Sequence, residues 1–142
     1  MPKGSEQLTN ARKEEIINAC AKLYTTMNFK DITLKQISLE TTFTRTSIYN
    51  YFQTKEEIFL ALFQREYDLW TTDIRQIFEK YEVMTVDEFA SALAHTLEKR
   101  ECLLKLLSMN HYDMEENSRL ENLILFKKSY YASMEKVEEC QP

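Results

Sequence analysis

Apolar residues return at helical spacing along almost the whole chain, and strand-type alternation bounded by turn residues is absent. Ile16, Cys20, Leu23 and Met27, with Ile17 and Tyr24 beside them, mark one face of a first helix from about Asn10 to Met27. Asn28 is placed to end it, since asparagine tolerates the left-handed backbone of many helix C-termini, and Phe29 just beyond can fold back on the core. Thr33 caps a short second helix with Leu34, Ile37 and Thr41 inward. Thr42 and Phe43 then turn the chain into a third helix, which Thr44 caps.

Past Lys55 the elements lengthen. Ile58, Phe59, Leu62, Leu69, Trp70, Ile74, Ile77 and Phe78 predict a fourth helix to about Tyr81, a bridge between two modules with apolar surface for more than one neighbour. Thr54 with Glu57 opens it as a Thr-x-x-Glu capping box. Thr85 with Glu88 and Ser118 with Glu121 repeat that signal further on. The helix after Thr85 carries Phe89, Ala90, Leu93 and Leu97 on one side. Cys102 to Met109 reads as a deeply buried, leucine-rich helix, and the last one runs through Leu120, Leu123, Ile124, Tyr131 and Met134 toward Val137. Seven helices result. With Gly4 the only glycine and Pro2 and Pro142 the only prolines, nothing between them forces a break.

The stretch from Thr44 to Lys55 differs from the rest. Hydroxyls, an arginine, two tyrosines and a lysine surround Ile48 and Phe52, the arrangement of a short helix with one face in the core and the other on a phosphate-rich surface. Charge is divided in the same sense. Residues 1–55 hold eight Lys or Arg against five Asp or Glu, net +3, and residues 56–142 hold ten against eighteen, net -8. A mildly basic head favours phosphates, and an acidic remainder is repelled from them.

Other classes find less support. No stretch reaches the roughly 18 consecutive apolar residues of a membrane span, and the polar start lacks the apolar run of a signal peptide, so the expectation is a cytoplasmic protein without a membrane partner. Cys20, Cys102 and Cys140 are too scattered for zinc or redox work. His95 and His111 have no partners spaced for a metal site or a nucleophile pair, and one glycine cannot build a phosphate-binding loop. The expectation is a chain that is not an enzyme, with no cofactor and no metal. Asp113, Glu115 and Glu116 read as a solvated loop.

The run from Ala11 to Phe63 resembles the N-terminal domain of TetR-family transcriptional regulators. A long first helix is followed by an aromatic, a Thr-capped second helix, and then Thr44, Arg45, Ile48, Tyr49, Tyr51, Phe52, Lys55, Glu56 and Glu57 in the family's order. The resemblance implies an all-α fold: a three-helix helix-turn-helix DNA-binding domain over residues 1–55, followed over residues 56–142 by a helical ligand-binding and dimerisation bundle. Family members commonly run longer and dimerise through their last two helices, so the expectation is a truncated bundle or, otherwise, a dimer built from what remains. The family also carries glycine where this chain has Thr42, and a threonine in a left-handed turn would be strained.

The resemblance further implies a DNA-binding repressor that works as a homodimer on a double-stranded operator and lets go when a small-molecule effector enters the bundle. Tyr49 and Lys55 match positions that touch the DNA backbone. Arg45, Thr46, Ser47 and Asn50 are candidates for base edges, Thr44 caps their helix, Tyr51 either touches phosphate or packs, and Thr33 and Lys35 can hold a phosphate at the second helix. Trp70, Phe78, Phe89, Met109, Tyr112, Phe126, Tyr130 and Met134 are candidates to line an effector cavity. The alternative is a helical protein-interaction adaptor that has lost DNA binding.

Overall fold

A computed structural model of the chain describes residues 3–80, 83–109 and 111–142. Among these residues there are eight α-helices, one short 3-10 turn and no strand. Among the described residues no helix is long and apolar enough to cross a membrane. The chain forms two compact units, one of residues 1–62 with 111–119 and the other of residues 63–110 with 120–142.

In the first unit, α1 (Lys3–Tyr24) begins well before the expected start at Asn10. Once a helix is nucleated, adding residues costs little, and only Gly4 near its very start is a poor helix former, so the polar turns around the exposed Leu8 extend it beyond the core. Ile16, Ile17, Cys20 and Tyr24 are buried on its inner face, while Leu23 and Met27 are half-buried. Asn28 does not cap α1. The helix closes earlier, through the N–H groups of Thr25 on the Lys22 carbonyl and of Thr26 and Met27 on that of Leu23. Asn28 is extended, φ -90° and ψ 159°, and leads into the 3-10 turn Phe29–Asp31. Phe29 does fold back, its ring meeting Phe59 edge-on at 4.8 Å, with Tyr24 at 5.1 Å from the same ring.

The next helices are α2 (Leu34–Leu39) and α3 (Arg45–Ile48). Thr33 and Gln36 form a reciprocal capping box at the start of α2, and Ile37 and Ser38 are its buried residues; Thr41 beyond it is only half-buried. The turn between the two helices needs no glycine. No described residue has a positive φ, so Thr42 is not in the left-handed region. Side chains hold the turn instead: Glu15 accepts from the Thr42 N–H at 2.7 Å and from its hydroxyl at 2.9 Å, and the Thr41 hydroxyl donates to the Ser38 carbonyl and accepts from the Phe43 N–H.

Helix α4 (Lys55–Lys80) supplies residues to both units, and Tyr81, the expected end, lies outside the described residues. At its start Thr54 accepts from the Glu57 N–H as expected. The other half of the box is changed: the Glu57 carboxylate takes the N–H of Gln53. Ile58, Phe59, Leu62, Trp70, Ile74 and Ile77 are buried, whereas Leu69 and Phe78 are exposed.

The second unit combines the remainder of α4 with α5 (Val86–Glu98), α6 (Glu101–Leu107) and α8 (Leu120–Cys140). Phe63 stacks on Tyr67 at 4.8 Å, and Phe126 lies 5.0 Å from the first ring and 6.0 Å from the second. Polar residues share this core. The Trp70 indole N–H donates to the Thr96 hydroxyl, and the Arg100 guanidinium grips Asp73 at 2.7 and 2.9 Å. The Thr71 and Ser133 hydroxyls lie 2.6 Å apart, at 2.8 and 3.1 Å from the Tyr67 carbonyl, so one hydroxyl can donate to the carbonyl while the other donates to its partner.

Three expectations are corrected here. Helix α6 is not deeply buried throughout, since Leu103 and Leu106 are inside but Leu104 and Leu107 are exposed. The inner face of α8 is Phe126, Ser129, Ser133 and Cys140, not the expected row, of which Leu120, Ile124 and Tyr131 are exposed. Small hydroxyl residues let a helix approach its neighbour closely while bonding to nearby carbonyls, so serine goes inside where leucine was expected. Third, residues 111–116 are not a loop. They form α7 (His111–Glu116), with Met114 buried, in the first unit, and the hydroxyl of the expected cap Ser118 donates instead to the Met114 carbonyl.

Candidate nucleic-acid interface

The face proposed to meet DNA is built from the cap outward. Thr44 is extended, φ -81° and ψ 162°, and its hydroxyl accepts from the Ser47 N–H at 3.1 Å, which answers one of the unpaired donors of a helix start. The α-helix proper is four residues long. Hydrogen-bonded turns continue it, with Asn50 N–H on the Ser47 carbonyl and Tyr51 and Phe52 N–H both on the Ile48 carbonyl.

Ile48 is fully buried and Phe52 nearly so, and these two anchors decide which way the rest points. Thr44, Arg45, Thr46, Tyr49 and Asn50 are exposed, and Ser47 and Tyr51 are half-buried. The structure thus brings most of the candidate residues to one exposed run of backbone. Tyr51 is partly engaged: its hydroxyl accepts from Arg12 at 3.0 Å and its ring lies 6.2 Å from that of Phe43. Lys55 is half-buried, its ammonium donating to the Phe29 carbonyl at 2.7 Å and sitting 4.1 Å over the Phe29 ring. An ammonium carries three donors, so this bond does not use up the group.

At α2, Lys35 is exposed, but Thr33 is occupied. Its N–H and its hydroxyl both donate to the Gln36 side chain, and the Gln36 N–H donates back to that hydroxyl.

Three residues of this region are not legible from spacing. Arg12 reaches Tyr51 across 39 residues of sequence, Glu15 reaches Thr42 across 27, and Arg119 reaches Glu57 across 62. The only signal in the sequence is that a basic pair, Arg12 and Lys13, and an acidic pair, Glu14 and Glu15, share one helix.

The candidate effector residues are dispersed. Trp70, Phe89 and Phe126 are buried, Met109, Tyr130 and Met134 are half-buried, and Phe78 and Tyr112 are exposed. Tyr112 belongs to the first unit and the other seven to the second. A surface groove of about 480 Å³ is lined by Ala11, Glu14, Glu15, Asn18, Ala19, Lys22 and Glu40, and one of about 440 Å³ by Met84, Asp87, Glu88, Ser91, Ala92 and His95. None of the eight candidates lines either groove.

No group of three or more metal-ligating side chains occurs among the described residues. All three cysteines are free thiols. Burial, reinforced by Glu66, pushes the Cys102 thiol up to about 12, so it is protonated at neutral pH and a poor nucleophile.

Against known proteins, residues 16–62 match the family of bacterial regulatory proteins called tetR, and residues 64–140 match the tetracyclin repressor-like C-terminal domain. No curated protein matches the chain. Among solved structures it is similar to the fatty acid degradation regulator FadR from Bacillus halodurans, with 18% identity and a TM-score of 0.61, over 91% of this chain and 65% of that one. At that identity the likeness shows the fold, and this chain spans 65% of the length of that regulator. One match runs from Ile16, within α1, through α3 to the first turns of α4, and the other alone covers more than half of the sequence; the chain belongs to the TetR family of regulatory proteins.

Proposed function

We propose that this chain binds double-stranded DNA through α3 and the turn after it, and acts as a transcriptional repressor that a small-molecule effector releases. The observation that carries the reading is the division of one short segment. Ile48 and Phe52 are sunk in the core while Arg45, Thr46, Tyr49 and Asn50 stand in solvent, so the polar side chains are presented by a backbone they do not have to stabilise. Tyr49 and Lys55 position the backbone of the duplex, and Arg45, Thr46, Ser47 and Asn50 reach base edges in the major groove. Thr33, Lys35 and Tyr51 flank them, and Thr44 supports them as the cap. A homodimer offers two such segments to an operator, and the bundle holds the effector site. The cytoplasm is the compartment this requires.

Binding of the duplex that precedes the chain's own coding sequence, measured across a range of salt concentrations, tests the reading. The double variant Arg45→Ala, Tyr49→Ala is expected to bind about a hundredfold more weakly, with a salt slope lower by at most about one unit because only one cation is removed, and with its helical circular dichroism intact. Undiminished binding by that variant would sink the assignment of α3. No binding by the wild-type chain at any salt would favour the adaptor.

A further inference from the structure

Glu57 has no exposure to solvent, and a carboxylate in such a place must have its oxygens answered by donors. One oxygen accepts from the Gln53 N–H at 2.9 Å and from Arg119 Nη2 at 3.0 Å. The other accepts from the Arg119 N–H at 2.7 Å and from its Nε at 2.9 Å. A single carboxylate therefore joins the end of the DNA-facing turn to the segment before α8. A second tie runs parallel, since the Thr54 hydroxyl donates to the Asn117 carbonyl at 2.9 Å. Arg119 Nη2 also approaches the Tyr51 carbonyl, at 3.4 Å.

Helix formation at α4 does not call for this. In an ordinary capping box Glu57 would turn back to the N–H of Thr54 and stay at the surface. Here it turns to Gln53, one residue earlier, and Arg119 makes its burial tolerable. We propose that Arg119 is a positioning residue for the Tyr49–Lys55 turn: held on Glu57, it sets the turn's geometry from outside the DNA-facing helices and so governs how tightly the chain grips DNA. The consequence for binding rests on the function proposed above; the consequence for the turn does not. Arg119 directly precedes Leu120, the first residue of α8, so displacing the start of that helix withdraws donors from Glu57.

Amide hydrogen exchange on the full chain tests the turn. In Arg119→Met the Gln53 N–H and its neighbours through Lys55 are expected to exchange about tenfold faster or more, while amides around Ile16 and Ile37 keep their protection. Arg119→Lys keeps the charge and the backbone bond but loses the planar fork, so it should fall between; it also carries the test if the methionine variant does not fold. Equal exchange at Gln53 in wild type and variants overturns the inference. So does a uniform acceleration across α1 and α2, which would mark a general loss of stability. On the upstream duplex, Arg119→Met is expected to bind about tenfold more weakly with an unchanged salt slope; a slope lower by about one would mean that Arg119 itself touches a phosphate, and would overturn the assignment. If wild type binds no DNA, the proposed function fails and the exchange result alone decides the role of Arg119.

Discussion

The two units hold themselves together differently. In the first, the core is mainly apolar and aromatic: Ile16, Ile32, Ile37, Ile48, Ile58 and Phe59 are all without exposure, one buried carboxylate, Glu57, is answered by Arg119, and the other polar side chains work mainly at caps and turns. In the second, polar groups enter the core itself, through Thr71 with Ser133, Trp70 with Thr96, and Asp73 with Arg100. The second also leaves many large apolar side chains outside, among them Leu69, Phe78, Leu104, Leu107, Ile124, Leu125 and Tyr131. Among the described residues the first unit confines buried charge to one pair, Glu57 with Arg119, and leaves most polar side chains of α3 in solvent. A unit with polar groups inside and apolar groups outside depends on specific pairings, and its surface is suited to further packing.

Substitutions can break or sharpen this contrast. The largest effect is expected for Phe59→Ala in the first unit, where Tyr24 and Phe29 would face a cavity: a loss of about 3–5 kcal/mol in urea denaturation. A loss below about 1 kcal/mol would show that aromatic packing is not what holds this unit. Next comes Asp73→Asn in the second unit, which removes the charge from a forked, largely buried pair and should cost about 2 kcal/mol by the same measurement. If it is neutral, the pair is ornamental and the two units are more alike than described. The smallest is Ser133→Ala, about 1 kcal/mol by thermal melting, because Thr71 keeps its bond to the Tyr67 carbonyl. A more stable variant would mean that the hydroxyls cost more to bury than they return.

The same contrast explains what was readable in advance. Where burial follows the helical period, as at Ile16, Cys20, Ile37, Ile48 and Phe52, the inward residues are found where the spacing puts them. Where a helix packs through small hydroxyls, as α8 does at Ser129 and Ser133, the period of large apolar residues names the wrong face. Helix α7 is not legible from the apolar pattern because its six residues are mostly polar, and its buried residue, Met114, meets a core that is distant in sequence.

By itself the sequence determined the all-helical class, the caps at Thr33, Thr44, Thr54 and Thr85, and the family pattern from Thr44 to Glu57. Those features depend on residues within a few positions of one another, where propensity and side-chain reach suffice. The tertiary structure alone decided that Glu15 would replace a turn glycine, that Lys55 would lie on Phe29, and that Arg119 would close over Glu57. Such pairings are 26 to 62 residues apart, and nothing local distinguishes the right partner from other charges until folding brings the two together.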